Sequence, residues 1–155
     1  MKSIIYGGWF RDAKIVTQIE SEEEARSHHE KRELYFATLY EDDDPYCFLE
    51  INNDFFSVSF LDEHNREYLS YEFNEYEPGK LFLVEAQHWE YDGDTDTKLH
   101  TELYRFNQTG KVRLRKVDLK TNEMNLSESD GVDVSKNYED YPEFGEYEKV
   151  IVKER

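Results

Sequence analysis

The chain has one cysteine, three prolines and few cations, and no apolar stretch in it is long. The single thiol, Cys47, leaves no mate for an internal disulfide, so packing has to hold the fold, and a reducing compartment is expected. Without a run of about 18 apolar residues, no segment qualifies as a membrane-spanning helix. The opening "MKSIIYGGWFRDAK" returns to charge too soon for the apolar core of a secretory signal. We therefore expect a cytoplasmic protein.

Lysine and arginine number 19 against 36 acids, a net charge of −17. A field of this sign disfavours nucleic acid and anionic membranes, both of which need positive patches, and it favours a cationic partner. Catalytic signatures are missing as well. There is no Gly-x-Ser-x-Gly, no phosphate-binding glycine loop and no zinc-protease helix motif. The expectation is a chain with no enzymatic activity, catalytic residues, cofactor or metal.

Aromatic residues are plentiful, with 12 Tyr and 10 Phe in 155 residues. A chain this long and this aromatic can bury a real core, which separates it from disordered acidic sequences. We read residues 1–155 as one domain.

Period-2 alternation begins at Glu33, the mark of half-buried strands. Leu34, Phe36 and Tyr40 share one face of "ELYFATLY", and Cys47, Leu49 and Ile51 share one of "YCFLEI". Phe56, Val58 and Phe60 alternate with serines, and Leu69, Tyr71 and Phe73 align. Short polar connectors separate these runs, which implies antiparallel neighbours, because a parallel pair needs a long crossover. The pattern predicts a mainly β (α+β) fold. Its sheet is an antiparallel meander of about seven to eight strands over 33–120, forming a curled sheet or partly closed barrel.

One phrase occurs twice, as "YEFNEYEPGK" from Tyr71 and "YRFNQTGK" from Tyr104. Over these eight or so residues it resembles the Tyr-Asp repeats of secreted toxin shells. Those need many tandem copies, so we read two hairpin turns instead. Gly79 and Gly110 would supply positive φ, and Asn74 and Asn107 would tolerate the left-handed region.

Residues 1–32 read as strand and turn followed by a helix. Ser21 with Glu24 three residues on is a capping box, and Lys31 and Arg32 suit the negative end. A short surface helix is expected over 22–31. Residues 121–146 read as an acidic, aromatic loop, and 147–153 as a closing strand.

Several local patterns could carry chemistry. "DGDTDT" sets Asp92, Asp94 and Asp96 at calcium-loop spacing, but Thr97 and Leu103 stand where that loop needs Gly and Glu, so it reads as a hairpin tip. Centring that hairpin on Asp94 sets His88 opposite His100. "SHHE" on the polar helix reads as solvated surface, and Cys47 as a core thiol.

The acids concentrate in 41–78, with net charge −11, and in 123–148, with net charge −8. In "NYEDYPEFGEYEK", rings alternate with carboxylates, as in an interface that anchors with aromatics and steers with charge. This profile resembles the immunity proteins of bacterial toxin–immunity pairs. The resemblance implies a non-catalytic inhibitor, monomer or homodimer, of a basic, nuclease-like toxin. The residues assigned to it are Asp42, Asp43, Asp44, Tyr138, Glu139, Asp140, Tyr141, Glu143, Phe144 and Glu146. The alternative is a small β-barrel that binds or acts on an apolar or aromatic ligand in an interior lined by His88, Trp89, His100, Tyr104 and Phe106.

Overall fold

The computed structural model describes residues 2–155. Eight strands follow one another as a continuous antiparallel meander: β4 (Tyr35–Glu41), β5 (Asp44–Ile51), β6 (Phe55–Leu61), β7 (Glu67–Glu77), β8 (Lys80–Tyr91), β9 (Lys98–Phe106), β10 (Val112–Asp118) and β11 (Met124–Ser129). Two more strands extend the sheet beyond the count expected from the sequence. β1 (Lys2–Ile5) pairs with β4, and β12 (Tyr138–Asp140) pairs with the start of β8, making ten. The sheet is open, running from β1 at one edge to β11 at the other. A separate ribbon, β2 (Gly8–Phe10) with β3 (Ile15–Thr17), packs on one face.

Alternation sends one set of side chains inward. Cys47, Leu49, Ile51, Phe56, Val58, Phe60, Tyr71 and Phe73 line the inner face as the period-2 reading expected. On β4 the reading is inverted: Tyr35, Ala37 and Leu39 are buried there, while Leu34 is exposed. Both faces of β4 carry apolar residues because the β2–β3 ribbon covers its outer side, with Gly8 lying against the Phe36 ring. The outer cluster is Trp9, Phe48 and Leu61.

What covers the inner face is the tail of the chain. Tyr147, Val150 and Ile151 join Tyr6 and Ala25 over the sheet. Residues 147–151 form turns rather than the expected closing strand, because their backbone crosses the layer instead of joining an edge. The region 121–146 is likewise not a plain loop, since it contributes β11, a short 3₁₀ turn at Ser135–Asn137 and β12.

Helix α1 (Glu22–Glu30) forms as the cap predicts: Ser21 Oγ accepts from the Glu24 amide, and Glu24 reaches back to Ser21. Only Ala25 is buried in it. Both copies of the repeated phrase lead into hairpins, with φ +77° at Gly79 and +90° at Gly110. Neither Asn74 nor Asn107 takes positive φ. Asn74 lies within β7, paired with Phe55 and Phe82. Asn107 works through its side chain, Oδ1 accepting from the Thr109 and Lys111 amides.

Candidate functional site

Strand alternation fixes where each turn points. The β4–β5, β6–β7, β8–β9 and β10–β11 turns fall at one end of the sheet, and the β5–β6, β7–β8 and β9–β10 turns at the other. The first end therefore gathers tips from distant parts of the sequence, three of them rich in acids: residues 41–44, 62–66 and 92–97. Together they carry nine acids: Glu41, Asp42, Asp43, Asp44, Asp62, Glu63, Asp92, Asp94 and Asp96. "DGDTDT" is the tip of β8–β9, as its flanking strands implied.

Cations hold two of these tips, 62–66 and 92–97, together. The Arg66 guanidinium, largely buried, donates to Asp62 Oδ2 at 2.9 Å and across to the carbonyls of Gly93 and Thr95 at 2.9 and 2.6 Å. The ring of Tyr91 lies under it at 4.4 Å. Lys14, from the β2–β3 turn, donates to the His64 carbonyl at 3.0 Å and Asp96 at 2.9 Å. Arg11 pairs with Glu67 at 3.3 Å. Burial alone would raise the Asp62 carboxyl, but donation from the Arg66 and His64 amides and the Arg66 guanidinium brings it below the usual range. Tyr91 is pushed up to about 12, mainly by burial and then by Glu67. The chemistry at this end is that of a preorganised anionic surface.

The start of the aromatic stretch of the second acidic segment, 138–140, sits at the opposite end, so the ten residues assigned to partner binding do not form one face. Asp42, Asp43 and Asp44 are at the three-tip end. Tyr138, Glu139 and Asp140 pair with Phe82, Leu81 and Lys80 beside the β7–β8 turn. From there the rings turn in and the acids turn out. Tyr141 donates to the Asn52 carbonyl at 3.0 Å beneath the Arg32 guanidinium. Phe144 stacks on Tyr6 at 5.0 Å, and Tyr147 is buried, with its hydroxyl 3.0 Å from that of Tyr35. Glu143 and Glu146 face solvent, Asp140 holds Lys80 at 2.6 Å, and Glu139 holds Arg155 at 3.2 Å. Tyr138 is the one ring of the four that is exposed, against Phe82 and Tyr76.

His29 differs from the solvated surface expected of "SHHE". It is half-buried, its Nδ1 lies 2.7 Å from the Tyr35 hydroxyl, and burial followed by the Arg32 charge holds its pKa below the ordinary value. Cys47 is a core thiol, pushed up to about 12 by burial.

The five residues of the alternative pocket do not converge. In the β8–β9 ladder His88 pairs with Glu102 and His100 with Glu90, two positions away from the predicted His88–His100 pairing. The register shifts between Glu90 and Tyr91, a bulge that simple centring on the turn cannot anticipate. Both imidazoles are exposed, and Trp89 lies on the other face, under Lys98. Tyr104 and Phe106 stack on each other at 6.3 Å. The inner face of the sheet is occupied by Tyr147, Val150 and Ile151.

One pair escaped the sequence reading. Glu72 and Glu85 face each other across β7 and β8 on the outer side, next to a bulge between Glu72 and Phe73. Arg105 donates to Glu85 at 3.1 Å. Desolvation and the neighbouring Glu85 push the Glu72 carboxyl up to about 7, so it gives up its proton later than an ordinary glutamate. Nothing in the local sequence marks these two among 36 acids, since only the bulged register joins them.

Comparison with protein-family models, with curated proteins and with solved structures finds no match for this chain.

Proposed function

We propose that the chain is a non-catalytic protein-binding inhibitor, an immunity-type partner of a basic, nuclease-like toxin. The reading refines the surface expected from the sequence by centring it on the three-tip end. One observation carries it: three acidic hairpin tips, from residues as far apart as 42 and 94, lie at the same end, and two of them, 62–66 and 92–97, are clamped together by Arg66 and Lys14. A clamped set of carboxylates meets a cationic cleft without first being ordered, and that favours both speed and affinity. The exposed acids of 139–146 lie at the far end and add to the long-range field rather than to the contact. The pocket-binding alternative has no comparable support, because its residues diverge and the inner face is filled.

The test screens the proteins encoded next to this chain's gene for a basic one that binds it. Asp42→Lys, Asp43→Lys and Asp94→Lys together should slow its association at least tenfold at low salt while the melting temperature holds. In the unsubstituted pair, association should slow as salt rises. Rates indifferent to both salt and substitution would sink this reading.

A further inference from the structure

β9, β10 and β11 form a wing that departs from the character of the rest of the molecule. Residues 98–129 contain seven lysines and arginines against four acids, a local charge of +3 in a chain of −17. The wing also lacks cover. Every residue of β11 is exposed, Leu126 at 72% and Met124 at 55%. On the outer face, Leu103, Arg115 and Leu126 form one cross-strand row. Arg105, Arg113 and Glu128 form the next. These residues border a groove of about 500 Å³. Glu85 and Glu128 satisfy Arg105 and Arg113, each at 3.1 Å, but the Arg115 side chain has no ion pair or hydrogen bond among the described residues.

β11 is also a sheet edge: no further strand pairs with it among the described residues. The usual guards against edge pairing are absent. "MNLSES" has no proline and no lysine, and its ladder with β10 runs without a register shift. A regular edge with two exposed apolar side chains is a template for another strand.

We propose that this edge pairs with β11 of a second copy, antiparallel, about a two-fold axis through Leu126. Residues facing each other across an antiparallel ladder lie on the same side of the sheet. The two-fold then sets Leu126 against Leu126 of the second copy, Met124 against its Glu128, and Asn125 against its Ser127. No like charges face one another. A shift of the axis to Ser127 would set Leu126 against a carboxylate instead, and a shift to Asn125 would leave only three strand residues overlapping. In the Leu126 register, Glu128 of each copy comes within reach of the other's Arg115, supplying the partner that this cation lacks. The three acidic tips are carried by β4–β9, two or more strands from the seam, so the mutual repulsion of the two negative bodies is held at a distance. This surface is separate from the three-tip end and does not depend on the function proposed for it.

The experiment is sedimentation equilibrium of the full chain over a wide concentration range, with and without added salt. The chain should dimerise, and salt should strengthen the dimer by screening the net negative charge of each copy. Leu126→Lys, at an exposed position, should weaken dimerisation at least tenfold with an unchanged melting temperature. Leu126→Cys should form a disulfide-linked dimer under mild oxidant, since facing residues sit within disulfide reach. Asn125→Cys should not, and buried Cys47 offers no competing thiol. A chain that stays monomeric at its solubility limit overturns the proposal and leaves the edge to a foreign strand. A Leu126→Lys variant that dimerises as well as the unsubstituted chain overturns it equally.

Discussion

At Gly110 a methyl group has nowhere to go: an added Cβ would lie 2.7 Å from the Val132 carbonyl oxygen, and φ is already +90°. Gly110→Ala should therefore cost about 1–3 kcal/mol, read from chemical denaturation. Gly79, with φ +77° and open space around it, should be less sensitive to contact but equally strained. A different residue-scale effect comes from Glu72. Its folded pKa, about 7, is above the 4.5 of an unperturbed glutamate. The folded state thus holds a proton that the unfolded chain releases earlier. The stabilisation is complete below about pH 4.5 and is lost as pH rises through about 7. Melting temperature should fall across that window, and Glu72→Gln should flatten the fall. An unchanged profile in that variant would place the titration elsewhere.

Among the elements, the β6–β7 and β8–β9 tips are tied to each other. Arg66, at the end of the β6–β7 turn, caps the carbonyls of the β8–β9 tip, and its guanidinium is nearly out of solvent. Arg66→Ala strips several charge-assisted hydrogen bonds at once and should destabilise the domain by about 2–3 kcal/mol. It should also slow association with a basic partner, although a positive charge has been removed from an anionic surface. Simple electrostatics predicts faster association for that change, so the sign of the rate change separates preorganisation from net charge. Helix α1 shows the opposite balance: with only Ala25 buried, it rests largely on the Ser21–Glu24 box.

Over the whole molecule, charge is divided by region. The wing of 98–129 is +3, which leaves −20 on everything else. Salt should therefore act in opposite directions on the two proposed associations, slowing capture of a cationic partner and strengthening pairing of wing with wing. Observing both trends in one preparation would tie each to its own surface.

The pattern of alternation, short turns and one capped helix was enough to read the mainly antiparallel fold, the two glycine turns and α1. It also fixed the inner faces of β5, β6 and β7, because a strand half-buried on one side repeats with period two. The same signal could not say which side of β4 faces the core, since the β2–β3 ribbon covers its other side and both read apolar. Nor could it set the β8–β9 register or bring Glu72 to Glu85, because bulges are decided by packing between strands and leave no fixed local mark. Acid count and the two acidic segments are properties of the sequence. The placing of Asp42–Asp44 and of 138–140 at opposite ends, and the inward turn of Tyr141, Phe144 and Tyr147, follow from strand alternation and from the need to cover one open sheet face.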